Sequence, residues 1–141
     1  MIFLDTDHFS VFMDERDQRH ELLSSRMEVA VEPVACTVVS VEEVLRGWLS
    51  VTRRLRDVIR QVPAYERLVR LFDVLGNWQI VAFDRRAANQ FAILRRQRIR
   101  IGTMDLKIAS IALVHDATLV TANLRDFSKV PGLRCENSLQ A

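Results

Sequence analysis

The apolar positions of this chain fall into short continuous runs separated by longer stretches with helical period. Residues 1–4, Met-Ile-Phe-Leu, form a short buried-strand candidate that runs straight into Asp5-Thr6-Asp7. Thr6 or Asp7 is placed to cap a short helix over residues 8–13. A polar helix is expected over residues 15–31, ending before Pro33, and residues 34–39 are β-rich enough for a second strand. Ser40 then caps a helix reaching Trp48 and Leu49, with Glu43 at capping-box spacing. Leu55, Val58, Ile59 and Val62 make a helical stripe. Pro63 breaks that stripe or opens a second helix, which continues through Leu68, Val69 and Phe72 to a stop at Gly76. Residues 79–83 read as a third strand, and Asp84 as the N-cap of a helix striped by Ala87, Ala88, Phe91 and Leu94. Thr103 caps a helix over 104–115, residues 118–121 form a fourth strand, Asn123 opens a short helical turn, and residues 133–136 supply a fifth strand. There is no internal repeat, low-complexity segment or linker. Strands alternating with helices predict an α/β fold: a single domain over residues 1–141, with a mostly parallel sheet of four to five strands between two helical layers.

Composition narrows the class. With 141 residues, 49% of them apolar, the chain has material for one core, and a disordered segment is excluded. No apolar run approaches the length of a membrane span, and the N-terminus lacks the basic region and long apolar core of a secretory signal. Cys36 and Cys135 have no cysteine or histidine nearby at metal spacing, so reduced, buried thiols in a cytoplasmic protein are expected. The net charge of +2 hides an asymmetry: residues 1–50 hold ten acids against four arginines, residues 51–100 twelve arginines against four acids. Eighteen of the twenty basic residues are arginine, whose planar fork suits phosphate. An acidic part beside a basic part fits a metal site next to a polyanion-binding surface, and equally fits arginines that merely coat solvated helix faces.

Most of the acids have ordinary explanations. Asp84 reads as a cap, and Asp14, Glu15, Asp17 and Glu21 as a solvated helix face. Asp5 stands apart because the carboxyl end of a parallel strand is where open α/β sheets keep their ligands. Asp105 stands apart because it shares a helix face with Ile108, Ala109 and Ala112, opposite Lys107, Ser110 and Val114. A carboxylate on a sheet-facing stripe costs several kcal/mol to desolvate unless it is paired or binds a metal. A first-turn Asp also gains from the helix dipole, which is the ordinary reading of the same residue. Glu43 points away from the apolar side of its helix (Val41, Val44, Leu45, Trp48), and either Glu43 or its neighbour Glu42 can serve a site. Asn123 and Asp126 follow the fourth strand, at another carboxyl end. His8 and His20 lie on polar stretches, and His115 ends a helix. There is no Ser-His-Asp arrangement, no glycine-rich phosphate loop and no cysteine placed as a nucleophile, which leaves metal-assisted chemistry on carboxylates.

In order along the chain stand Leu4-Asp5-Thr6-Asp7, Glu43-Val-Leu-Arg-Gly47, Ile101-Gly102-Thr103-Met104-Asp105 with Ile108-Ala109, and Thr121-Ala-Asn123-Leu-Arg-Asp126-Phe127. Together they resemble the PIN-domain ribonucleases, in particular the VapC-type toxins of bacterial toxin–antitoxin pairs. The resemblance covers the whole chain in order and spacing. It implies a three-layer α/β/α PIN-like fold and an acidic Mg²⁺ site made of Asp5, Glu43 and Asp105, which selects Glu43 over Glu42. Hard, anionic oxygen ligands suit Mg²⁺ or Mn²⁺ better than zinc. Thr6 and Thr121 are then expected to steady the site by hydrogen bonds, and Asn123 to orient water or a ligand. Two departures from the pattern matter. The family more often has Asn where this chain has Asp7, and position 123 is Asn where many members carry Asp, so either Asp126 is the fourth catalytic acid or the site has only three. Further implications are an RNA substrate, with Arg95, Arg96, Arg98 and Arg100 as candidate contacts, a cognate antitoxin, and a homodimer. Competing readings are a degenerate PIN domain that binds RNA or protein without cutting, and an Asp-x-Asp phosphatase. The phosphatase requires a later catalytic lysine and a paired-acid motif; the chain has only Lys107 and Lys129 and no such pair. A receiver domain would need its phosphoacceptor at Asp84.

Overall fold

A computed structural model describes residues 1–140. In chain order the elements are β1 (Ile2–Leu4), α1 (Thr6–Met13), α2 (His20–Glu28), β2 (Val34–Thr37), α3 (Val38–Arg54), α4 (Val58–Leu75), β3 (Ile80–Val81), α5 (Arg85–Arg96), α6 (Thr103–Val114), β4 (Thr118–Val120), α7 (Leu124–Phe127) and β5 (Arg134–Glu136). The five strands form one sheet in the order β3-β2-β1-β4-β5, every neighbouring pair parallel.

Register explains the layering. Phe3 lies beside Ala35 and Leu119, and Leu4 beside Cys36 and Val120. Successive side chains of a strand point to opposite faces. Phe3, Ala35 and Leu119 therefore enter one core with Ala87 and Leu94 of α5 and Ile108, Ala109 and Ala112 of α6. Leu4, Cys36 and Val120 enter the other, with Phe9 of α1, Val41 and Val44 of α3 and Leu71 of α4. This is the three-layer α/β/α architecture expected from the sequence. The chain moves outward from β1 to β2 and β3, then crosses back to place β4 on the other side of β1. The switch point between β1 and β4 opens a crevice at the strands' carboxyl ends, the usual ligand position in such sheets.

Several boundaries differ from the sequence reading. Asp5, rather than Thr6 or Asp7, caps α1. The helix expected over 15–31 is confined to His20–Glu28, because Asp14 and Asp17 bond to the backbone N–H groups two residues on and hold that stretch in turns. Thr37, not Ser40, caps α3, and β2 ends there rather than at Val39. The break between α3 and α4 falls at residues 55–57, where Asp57 caps the new helix, and α4 runs through Pro63 without interruption. Gly102 rather than Thr103 stands at the N-cap of α6. That helix is buried almost all round, Ser110 included, because α5 covers the side away from the sheet. Asp84 and Asn123 do cap α5 and α7, and Gly76 does end α4. Both cysteines are free, with Cys36 buried and Cys135 only half-buried. Among the described residues no helix is long and apolar enough to cross a membrane.

Candidate active site

Asp5 is built into the switch point. Its backbone N–H donates to Val120 O at 2.9 Å, tying the end of β1 to β4. Its Oδ1 accepts from Thr6 N at 2.8 Å, and its Oδ2 accepts from the Thr121 hydroxyl at 2.7 Å. Only 5% of the residue is exposed. Thr121 Oγ1 in turn accepts from Asn123 N at 3.0 Å, so the loop after β4 is locked to the same carboxylate.

Glu43 comes to this place because α3 starts at Thr37. With the cap three residues earlier than expected, Glu43 is not the reciprocal partner of a capping box, and its Oε1 accepts from the Thr6 hydroxyl at 3.0 Å. Glu42 pairs instead with Arg46 at 2.9 Å, on an exposed part of the helix. Asp105 sits half-buried in the first turn of α6. Asn123 Nδ2 donates to Asp105 Oδ2 at 3.5 Å and to Asp126 Oδ2 at 3.1 Å. Asp126 lies at the rim, where Lys129 Nζ stands 3.4 Å from its Oδ1.

The acids act on one another's charge. Burial pushes the Asp5 carboxyl up to about 7; the Thr121 hydroxyl opposes that rise, and the charges of Asp7 and Asp105 reinforce it. Glu43 is raised first by burial, against the Thr6 hydrogen bond, and then by Asp105, Glu42 and Asp7. Asp105 is raised by burial and by Asp126 and Asp7. Asp126 is held below the ordinary range by its hydrogen bond from Asn123 and by Lys129. Among the described residues, Asp5, Glu43 and Asp105 have no Lys, Arg or His in ion-pair contact. Buried and half-buried carboxylates that are raised by burial and by neighbouring acids, and that lack a cationic partner, are suited to a divalent cation. Among the described residues no three acidic, His or Cys side chains converge on one point. That spacing still fits Mg²⁺, which binds through one or two carboxylates and keeps several of its waters.

Asp7 is not a spare acid. Its Oδ1 accepts from His8 N at 2.6 Å and lies 2.7 Å from His8 Nδ1, and its Oδ2 accepts from Ala122 N at 2.9 Å. His8, read from sequence as a residue on a polar stretch, is completely buried. The signal that could have found it is its spacing of three and four from Val11 and Phe12 on the same helix, next to an unusual Asp. The four candidate arginines divide. Arg95 and Arg96 end α5, with Arg95 over the Phe91 ring at 5.4 Å. Arg98 and Arg100 lie in the following loop and line a shallow cleft with Lys129, a residue the sequence reading did not single out.

The PIN domain family model matches residues 2–133. Ribonuclease VapC1 of Rickettsia felis is 48% identical over 40 residues, 28% of this chain and 30% of that protein. Ribonuclease VapC2 of the same organism is 36% identical over 67 residues, 45% of this chain and 50% of that protein. The chain thus spans half or less of the length of these curated relatives in the matched stretches. The crystal structure of VapBC2 from Rickettsia felis, bound to a DNA fragment from its promoter, shares the fold at a TM-score of 0.74 and 22% identity, over 97% of this chain and 98% of that one. A family match of this extent has one consequence: the chain belongs to the PIN domain family.

Proposed function

We propose that the chain is a metal-dependent endoribonuclease, the toxin component of a toxin–antitoxin pair, with Mg²⁺ as its ion and Mn²⁺ as a substitute. The observation that carries this reading is one hydrogen-bonded network at the strands' carboxyl ends: Thr121 and Asn123 link Asp5 to Asp105, Thr6 reaches Glu43, and none of the three acids has a Lys, Arg or His in ion-pair contact among the described residues. The names of the Rickettsia ribonucleases support it.

Asp5 and Asp105 hold the ion. When bound, it supplies an activated water for in-line attack on the phosphodiester and offsets charge on the leaving oxygen. Glu43, held by the Thr6 hydroxyl and raised by burial and by its acidic neighbours, would orient the attacking water. Thr6 and Thr121 fix the carboxylates of Glu43 and Asp5 through their hydroxyls. Asn123 spans Asp105 and Asp126, so Asp126 acts at the rim. Arg98 and Arg100, with Lys129, bind backbone phosphates beside the site, while Arg95 and Arg96 contribute from the end of α5. The substrate is single-stranded RNA or an exposed strand of a structured RNA. A cognate antitoxin, a homodimer and a cytoplasmic location complete the reading, and the exposed apolar side chains of α4 support a protein partner.

Purified protein with Mg²⁺ is expected to cut single-stranded RNA, and EDTA to stop it. Asp5→Asn and Asp105→Asn should each lower the rate about 10²-fold or more. Cleavage at the native rate by either variant overturns the assignment, and binding of RNA without cleavage by the native chain identifies a degenerate domain.

A further inference from the structure

The imidazole of His8 is completely buried and engaged at both nitrogens. The backbone N–H of Ser138 donates to Nε2 at 3.2 Å. An amide nitrogen can only donate, so the ring hydrogen sits on Nδ1 and is donated to Asp7 Oδ1 at 2.7 Å. With His8 N at 2.6 Å, Oδ1 has both of its acceptor places filled. Oδ2 accepts from Ala122 N and keeps one place free. An asparagine here would offer one acceptor oxygen and could not satisfy both sets of donors, so the Nδ1 hydrogen matches a carboxylate. A carboxyl that accepts from three N–H groups, the His8 amide, the His8 ring and the Ala122 amide, is matched to its ionised form. Ala122, which donates to Asp7 Oδ2, lies between Thr121, the partner of Asp5, and Asn123, the partner of Asp105, so the Asp7 carboxylate borders the loop that holds both acids. The support extends further: Arg26 donates to the carbonyl oxygens of Ser138 at 2.7 Å and Gln140 at 2.9 Å, so the segment that orients His8 is itself clamped.

We propose that His8 is a positioning residue of the metal site: it fixes the Asp7 carboxylate as an anionic wall whose free Oδ2 place accepts a hydrogen bond from the ion's water shell. This rests on the metal-dependent reading above and assigns a role to a pair of residues that reading leaves unused. Partners in this outer position change metal affinity about 10–100-fold when removed.

The test is Mn²⁺ binding by the metal-free full chain, followed by calorimetry and by the spin signal of free Mn²⁺, with circular dichroism to confirm the fold. His8→Asn keeps an N–H donor at the place of Nδ1, whereas His8→Gln reaches only the place of Nε2. His8→Gln and His8→Leu are expected to weaken Mn²⁺ binding about tenfold, and His8→Asn to stay within about threefold of the native chain. In an Asp7→Asn background the His8 changes should have no further effect. Equal Mn²⁺ affinity of the native, Gln and Leu chains overturns the proposal, as does full additivity with Asp7→Asn. Should Leu fail to fold, the Asn–Gln pair decides by the same criterion. A native chain that binds no Mn²⁺ sinks the metal reading itself, an outcome distinct from native binding that His8 does not affect.

Discussion

Asp5 caps a helix, joins two strands and lines the candidate site, and its carboxyl sits at about 7 instead of 3.8 because burial penalises its charge. A carboxyl raised in the folded state contributes stability that is complete below the ordinary value and disappears as pH rises through the folded one. The metal-free protein should therefore lose stability between about pH 4 and pH 7, by about 4 kcal/mol at most from this one group. Glu43 and Asp105 are shifted in the same direction and add to the loss. A divalent cation binds the ionised form, so Mg²⁺ should raise Tm more at pH 8 than at pH 6. Asp5→Asn removes the charge while leaving groups that can meet Thr6 N and Thr121 Oγ1. Thermal melts of that variant without metal should show a higher Tm than the native chain at pH 8, a smaller gain at pH 5, and no response to Mg²⁺. A Tm that falls at pH 8 would show that the charge of Asp5 costs nothing there.

At the level of elements, α4 forms where the pattern predicts a helix, but much of its apolar stripe is open to solvent. Val58, Ile59 and Val62 make a regular stripe in the sequence, yet they are 71%, 75% and 45% exposed. Leu71 holds the helix to the core, with Leu68 and Leu75 packed around it, and the other side presents Val62, Tyr65, Val69 and Phe72 to solvent. Their spacing of three, four and three is that of a helix–helix seam. The homodimer proposed above would cover this side, and Val62→Glu with Val69→Glu should convert dimer to monomer in sedimentation experiments without changing the circular dichroism spectrum. A periodic stripe says that a face is apolar and leaves open whether the chain itself covers it, which is why the helix of α4 was legible and the exposure of its face was not. Where one residue type dictates geometry, as with Asp84, Asn123 and Gly76, the elements were legible. Where two hydroxyls compete, as Thr37 and Ser40 do for the start of α3, they were not, and the difference changes the surroundings of Glu43. Asp5 and Asp105 were singled out through a strand end and a helix face, and Glu43 only through the family resemblance. His8 escaped because Ser138, the partner of its Nε2, meets it only after the chain has folded, although Asp7 stands beside it in the sequence.

For the molecule as a whole, the sheet's switch point draws the acids of β1, α3 and α6 to one end, while the loop between α5 and α6 sets Arg98 and Arg100 beside that end. Asp105, Asn123, Asp126 and Lys129 form a continuous chain of contacts at 3.5, 3.1 and 3.4 Å, running from the acid cluster to the basic cleft. On the proposed ribonuclease reading, a strand of RNA whose scissile phosphate sits at the acids lays its neighbouring phosphates along the cleft. Each phosphate contact releases counterions, and for single strands the slope of log K against log salt falls by about 0.7 per contact. The Arg98→Ala, Arg100→Ala double variant should thus flatten the slope by about 1.4 and raise KM while leaving kcat close to native, because neither side chain touches the acids. Arg95 is held over the Phe91 ring, so Arg95→Ala should change the slope less. Binding titrations from low to high salt, run beside steady-state cleavage, separate these outcomes. RNA affinity that does not respond to salt, or a double variant that loses kcat rather than KM, would remove the cleft from the substrate path.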